Sequence, residues 1–241
     1  MKHHVEFIAT TISFRSFRRF QFGVVTLLVL LGLLHYLYID FFPKDTFTRL
    51  TILLDLGKEN SIPTAFSIIN LLIASVLLYF VSCVSKYRGD RVAFYWFALC
   101  ILFVLLAIDE SASIHERAGA LDRLTGVVLP VPSEHRWVLY GGIFAGVVFL
   151  FFMPFLLSIP RTTAWLLVLS GAIFVGGALG FEILGSWMLQ SEFASRKDLI
   201  YDIRRVGEEG LEMYAIALFN CTLFRYLVPT TIGWRFGAAG D

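Results

Sequence analysis

The chain has 241 residues, of which 57% are hydrophobic and only 16% are charged, and its mean hydropathy is +0.74. Soluble domains use about a quarter charged residues, and disordered chains combine low hydrophobicity with high net charge, so the composition excludes both classes. The formal net charge of +1 gives no basic surface for a nucleic acid, whose phosphates require one. The three cysteines lie far apart, without a metal-binding or disulfide spacing. The composition is therefore typical of a multi-pass membrane protein.

The apolar segments predict how the chain crosses the bilayer, whose hydrocarbon core needs about 20 helical residues. We predict an all-α bundle of six transmembrane helices, with spans at about 21–39, 62–84, 92–117, 134–158, 162–189 and 199–228. Residues 1–20 are expected to form a basic amphipathic segment, either a surface helix or a flexible tail, and residues 230–241 a C-terminal tail. No loop is long enough for a separate soluble domain.

The lysines and arginines predict the orientation. With the N-terminus in the cytoplasm they divide equally between the two sides, so the residues nearest the helices decide the positive-inside rule. Arg15, Arg18 and Arg19 directly precede the first span, and Lys86 and Arg88 lie in a short loop between two spans. We therefore expect a bacterial-type inner-membrane protein with both termini in the cytoplasm.

Acidic residues collect on the opposite side, where all but three of the 19 are expected to lie. At 1.5 Å per residue, Asp109 and Glu110 lie about 27–28 Å above the inner edge of the third helix, and Glu182 lies about 31 Å above that of the fifth. Glu208 and Glu212 lie at about 20–25 Å on the sixth. Only 12 residues without charge follow Glu212, too few to cross a bilayer. These carboxylates must therefore lie within the membrane's depth, where ionisable groups usually face a bundle interior or a wet cavity.

Helical spacing predicts which polar groups share a face. Asp109, Ser113 and Glu116 follow i, i+4 and i+7 along the predicted third helix, and His115 lies on a neighbouring face. On the sixth helix the arginines and acids of residues 204–212 are three or four positions apart and therefore meet on the helix surface. The outer ends of the third, fifth and sixth helices are thus expected to form one polar band.

In this band seven carboxylates face three arginines, so four carboxylates have no evident cationic partner. Buried carboxylates without partners either protonate or bind a cation, and carboxylates with a histidine suit iron, manganese or zinc. The sequence therefore predicts a site for one or two divalent metal ions. The predicted ligands are Glu110, His115, Glu116, Glu182, Glu208 and Glu212, with Asp109 and Glu209 as bridging or supporting groups, Arg204 and Arg205 orienting carboxylates or an anionic lipid headgroup, and Arg117 as the third cation.

Three functions are open at this point. A metal enzyme would hydrolyse or oxidise a lipid or another membrane substrate. An accessory subunit of a larger membrane complex would use the same charges as a salt-bridge lattice, with pairs such as Arg204–Glu208 and Arg205–Glu209. A proton or cation transporter would need polar groups across the inner half, where the sequence offers few besides Asn220 and Ser75. The expected partners are the bilayer, a lipid or small-molecule substrate and other membrane subunits.

The acidic pattern resembles the ligand class of membrane di-iron carboxylate oxidases, which place a Glu-x-x-His pair on each of two helices. The motif itself differs, because Ala112 stands three residues before His115 and the sixth span contains no histidine. The Glu208-Glu209 pair is similar to the Glu-Glu start of CAAX-type intramembrane proteases, whose later histidine motifs are missing. The paired histidines of alkaline ceramidase-type zinc hydrolases are also missing. The sequence therefore predicts a class of ligands and assigns no family.

Overall fold

A computed structural model of the protein describes residues 12–42, 48–115, 117 and 136–227. All regular secondary structure in these ranges is helical, which confirms the predicted all-α membrane bundle. The helices are α1 (Phe14–Phe41), α2 (Thr48–Thr51, followed by a 3₁₀ turn at Ile52–Leu54), α3 (Ile62–Tyr87), α4 (Ala93–Ala112), α5 (Arg136–Ser158), α6 (Arg161–Gln190) and α7 (Leu199–Leu227).

Five of the long helices, α1, α3, α4, α5 and α6, are long and apolar enough to cross a membrane. The sixth, α7, has 29 residues and carries most of its charge in its first half. It packs against α1, α3 and α6, and its second half is mostly buried. The most polar of the long helices therefore lies between apolar neighbours that shield it from lipid.

Two serines fix where α1 and α3 begin. The hydroxyl of Ser13 accepts a hydrogen bond from the Ser16 backbone N–H (3.1 Å), and that of Ser61 accepts one from the Thr64 N–H (3.2 Å). Each bond satisfies one of the free N–H groups of a first helical turn. Because Ser13 caps α1, residues 14–20 belong to this helix, whereas the sequence prediction placed them in a separate basic segment.

The structure also differs from the prediction at the end of α4. Ser113 has a φ angle of 49° in the left-handed region, so the helix ends at Ala112 and does not continue to residue 117. The expected alignment of Asp109 with Ser113 along one helical face is therefore not formed. Glu116 and the predicted start of the fourth span at residues 134–135 lie outside the described residues.

Glycines bring α6 close to α7 at the level of the acidic residues. A Cβ atom at Gly177 would lie 3.2 Å from the Glu208 carbonyl oxygen, and one at Gly185 would lie 2.8 Å from Arg204 Nε. Around Gly177, residues Gly176–Gly180 form a π-helical turn, a local widening that often marks functional positions. This close approach places Glu182 of α6 beside the first half of α7.

The loop between α1 and α3 is docked against α1. Leu56 is 2% exposed and packs over Gly32, where a Cβ atom would overlap its side chain. Asp55 Oδ1 accepts hydrogen bonds from the Tyr36 hydroxyl (2.6 Å) and the Gly57 N–H (3.0 Å). The loop is thereby held at the end of the bundle where α7 begins, next to the acidic residues of α7.

Candidate functional site

Arg204 connects the end of α6 with the start of α7. Its side chain is 5% exposed, and Nη1 donates to the Phe181 carbonyl oxygen at 2.6 Å. The same nitrogen lies 2.9 Å from Glu208 Oε2 and 3.6 Å from Glu182 Oε2. The structure therefore brings together two of the predicted ligands and the arginine expected to orient carboxylates.

Arg205 pairs with a different carboxylate. Its Nη1 lies 3.5 Å from Asp202 Oδ1, and its guanidinium carbon lies 5.2 Å from the centre of the Tyr201 ring. The Arg205–Glu209 ion pair expected for a salt-bridge lattice is therefore replaced by a pair with Asp202. Because Arg205 is occupied in this way, Glu209 forms no ion pair within the described part of the chain.

Three carboxylates from two helices form what we term the carboxylate cluster: Glu110 of α4 with Glu209 and Glu212 of α7. All three are half-buried. Glu212 interacts electrostatically with Glu209 and Glu110 and also with Glu208 and Asp109, all of the same sign. Among the described residues, no hydrogen bond or ion pair reaches any member of the cluster. The cluster thus concentrates carboxyl groups at a half-buried position.

His115 lies beside this cluster and is held by Asp109. The left-handed turn at Ser113 folds the chain back, so that the His115 backbone N–H donates to Asp109 Oδ1 (2.9 Å) and the ring Nδ1 lies 2.8 Å from Asp109 Oδ2. The imidazole ring also lies 4.8 Å from the Trp137 ring, and it interacts electrostatically with Glu110. Nε2 makes no hydrogen bond with another described residue. Asp109 therefore fixes the ring with its second nitrogen available.

The sequence did not indicate that the loop between α1 and α3 contributes acidic side chains near the site. Glu59 lies close enough to Glu110 to interact with it electrostatically, and Asp55 faces buried His35 with 3.9 Å between Oδ2 and Nε2. The only signal was the length and charge of the loop between the first two spans. Its contact with α7 depends on how Leu56 docks, which no local pattern reveals.

An apolar groove of about 410 Å³ opens beside the Arg204 ion pairs, between the end of α6 and the start of α7. Its lining includes Phe181, Trp187, Phe193, Ile203 and Arg204. Trp187 and Phe193 are more than half exposed, as expected for aromatic residues at a membrane interface. The groove has the size and character of a site for an apolar molecule or chain.

No three histidine, cysteine, aspartate or glutamate side chains of the described residues form a group that could hold a metal ion. Of the predicted ligands, Glu182 and Glu208 contact Arg204. Glu212 follows Glu208 by one helical turn and lies against Gly177 of α6, and Glu110 interacts electrostatically with His115. Glu116 is outside the described part. Metal binding by these residues therefore stays a prediction.

The apolar helices around a charged central helix define a polytopic helical membrane protein. A family model described as "Domain of unknown function (DUF8692)" matches residues 22–227, and the chain belongs to this family. The match runs from the third turn of α1 to the last residue of α7, so it includes the carboxylate cluster and the Arg204 ion pairs. No curated protein and no solved structure matches the chain.

Proposed function

We propose that the protein binds a divalent metal ion at its outer end, with Glu110, Glu209, Glu212 and His115 as ligands. The observation that carries this proposal is the carboxylate cluster, whose three acids form no ion pair in the described part of the chain although Arg204 and Arg205 lie near enough to attract Glu209. Arg204 and Arg205 are engaged by other residues. Like charges at this depth are costly unless a proton or a cation neutralises them.

His115 supports the choice of a metal over a proton. Metal-binding histidines commonly donate one ring N–H to a carboxylate, which fixes the ring and leaves the other nitrogen for the ion. Asp109 stands in this relation to His115, and Glu110 is the neighbouring carboxylate. One imidazole with several carboxylates suits iron, manganese or zinc.

Binding requires the side chains to move. In the structure the four proposed ligands do not form a coordination group, so an ion would draw Glu209 and Glu212 towards Glu110 by rotation about their side-chain bonds. Glu116 is a further candidate ligand, as are Glu182 and Glu208 if a second ion displaces Arg204 from them. Attraction between a divalent ion and three carboxylates favours such a rearrangement.

The apolar groove supports a membrane-derived substrate. It is lined in part by Arg204, which contacts Glu182 and Glu208, so an apolar chain in the groove would place its polar end near these charged groups. A bound metal ion would supply an activated water for hydrolysis or a redox centre for oxidation. We propose an enzyme of this class, acting on a lipid or a similar membrane substrate.

The Arg204 ion pairs favour a second candidate function. Glu182 and Glu208 are joined to one buried guanidinium, and this is the arrangement that a salt-bridge lattice would produce in an accessory subunit of a membrane complex. Such a subunit needs no metal. The carboxylate cluster is the feature that this alternative leaves without a role.

We further propose a bacterial-type inner membrane with both termini in the cytoplasm. Arg15, Arg18 and Arg19 lie in the first two turns of α1, and Lys86 and Arg88 lie at the same end of the bundle. The carboxylate cluster would then face the periplasmic side. Cysteines introduced singly near Gly89 and near Ser195 and labelled from outside with a membrane-impermeant thiol reagent test this, because only the second should react.

Metal analysis by inductively coupled plasma mass spectrometry tests the metal site. We expect stoichiometric iron, manganese or zinc in detergent-purified protein, and its loss in Glu209→Gln/Glu212→Gln, which removes two charges without changing size. Asp202→Asn is the matched control on the same helix and should retain the metal. Protein that stays metal-free after reconstitution, or a double variant that binds as well as the wild type, would refute the site and favour the subunit.

A further inference from the structure

A second polar layer lies further along α7 than the carboxylate cluster. Gln21 of α1, Asn70 of α3 and Asn220 of α7 are all 0% exposed. Asn220 follows Glu212 by eight residues, which places it about 12 Å further along α7. The layer is therefore separate from the proposed metal site and lies among apolar residues.

Contacts between the helices show that the three amides occupy one level. α1 and α7 are antiparallel, with Phe17 stacked on Phe224 at 4.4 Å and Thr26 Oγ1 lying 2.7 Å from the Tyr214 hydroxyl. Along α1, Gln21 lies about midway between Phe17 and Thr26. Along α7, Asn220 lies between Tyr214 and Phe224. Gln21 and Asn220 therefore belong to the same layer of the α1–α7 interface.

Asn70 joins this layer directly. The side-chain Nδ2 of Asn220 donates to Asn70 Oδ1 at 2.7 Å and contacts the Asn70 backbone oxygen at 3.0 Å. These contacts use the amide nitrogen of Asn220 and the amide oxygen of Asn70. Asn70 Nδ2 and Asn220 Oδ1 have no hydrogen-bond partner among the described residues, and neither do Nε2 and Oε1 of Gln21.

Two donors and two acceptors are thus buried at one level of the bundle without partners among the described residues. Buried polar groups in proteins are nearly always hydrogen-bonded, either to other groups of the chain or to internal water. A metal cation would suit the two oxygens and be repelled by the two N–H₂ groups, whereas water both donates and accepts. The mixed character of the layer therefore selects water as its ligand.

We propose that Gln21, Asn70 and Asn220 enclose a bound water in the membrane interior. The water accepts from Asn70 Nδ2 or Gln21 Nε2 and donates to Asn220 Oδ1 or Gln21 Oε1. It connects α1, α3 and α7 through hydrogen bonds where lipid offers none. Because the layer fixes the rotation of α7, it also sets the direction in which Glu209 and Glu212 face.

Water-edited solid-state NMR on the labelled full-length protein in lipid bilayers tests this. Polarisation from water should reach the side-chain N–H₂ groups of Gln21 and Asn70, and should persist when a paramagnetic agent in the aqueous phase removes the signal of exposed Asn60. The backbone amides of Val25 and Ala74, both 0% exposed, are the dry controls.

Gln21→Met gives the matched variant, because it keeps the length of the side chain and removes its polar atoms. We expect the water signal of Asn70 to fall towards the level of the dry controls. If the wild-type N–H₂ groups of Gln21 and Asn70 receive no more polarisation than the dry controls, the amides pair directly and the proposal is wrong. This wild-type result decides the question even if the variant does not fold.

Discussion

Replacing Arg204 by methionine tests the ion pairs between α6 and α7. The substitution keeps an unbranched apolar side chain and removes the guanidinium that contacts Glu208 at 2.9 Å, Glu182 at 3.6 Å and the Phe181 carbonyl oxygen at 2.6 Å. Both carboxylates then lose their cation while they remain in place. We expect Arg204→Met to lower the free energy of unfolding substantially.

The exposure of each partner sets the magnitude. Glu208 is 14% exposed and Glu182 32% exposed, so water compensates the loss at Glu182 better than at Glu208. Removing one partner of a buried ion pair costs about 3–5 kcal/mol, and the partial exposure of Glu182 places the expected loss near the lower end, at about 3 kcal/mol. Arg205→Met is the control, because the Arg205 side chain is 33% exposed and its contact with Asp202 is 3.5 Å. That pair contributes about 0.2–1 kcal/mol.

The assay is reversible unfolding of the purified protein in mixed micelles, followed by circular dichroism. Adding Glu208→Gln to Arg204→Met removes the charge that the first substitution leaves without a partner, so the double variant should recover part of the lost stability. The reasoning fails if Arg204→Met costs no more than Arg205→Met. It also fails if Glu208→Gln lowers the stability of the Arg204→Met protein further.

Two other predictions concern the loop between α1 and α3 and the segment that precedes α7. In Gly32→Ala the new Cβ atom would overlap Leu56 and displace it, so the free energy of unfolding should fall by about 1–3 kcal/mol. Gly23→Ala is the control in the same unfolding assay, because a Cβ atom at Gly23 meets no neighbouring side chain within 4 Å. This variant should not be destabilised. Equal effects of the two would contradict the docking of the loop. The Ser195 N–H donates to Asp198 Oδ2 (2.6 Å), and this hydrogen bond lowers the pKa of the Asp198 carboxyl group. The ionised Asp198 therefore stabilises the fold at neutral pH, and this stabilisation disappears as the pH falls through the lowered pKa. Asp198→Asn should therefore flatten the acid limb of the stability–pH curve, and an unchanged limb would refute this role.

Much of the fold could be predicted because the membrane imposes it. Runs of apolar residues gave the positions of α1, α3, α4, α5 and α6 to within a few residues at most ends. The larger differences have local causes that composition does not reveal. Ser13 caps α1, which therefore begins at Phe14, seven residues before the predicted span, and Ser113 adopts a left-handed conformation that ends α4 early.

The candidate site could be predicted only in part. Depth along each helix identified the level of the acids, and the i, i+4 spacing identified the Arg204–Glu208 pair. The partner of Arg205 depended on the rotation of its side chain towards Tyr201, and the position of His115 depended on the turn that ends α4. Neither follows from helical periodicity, because both are set by contacts between segments distant along the chain or by a break in the helix.

The distribution of polar residues along α7 explains why this helix lies between the others. Its first half carries all of its acids together with Arg204 and Arg205, and its second half carries Asn220, which bonds to Asn70. Lipid satisfies none of these groups, so each must meet a partner on a neighbouring helix or a ligand held between helices. Arg204 and Asn220 find such partners on α6 and α3, whereas Glu209 and Glu212 face another carboxylate, Glu110. Packing therefore pairs Arg204 and Asn220 with neighbouring helices and leaves carboxyl groups together at one place, which is where we propose that a metal ion binds.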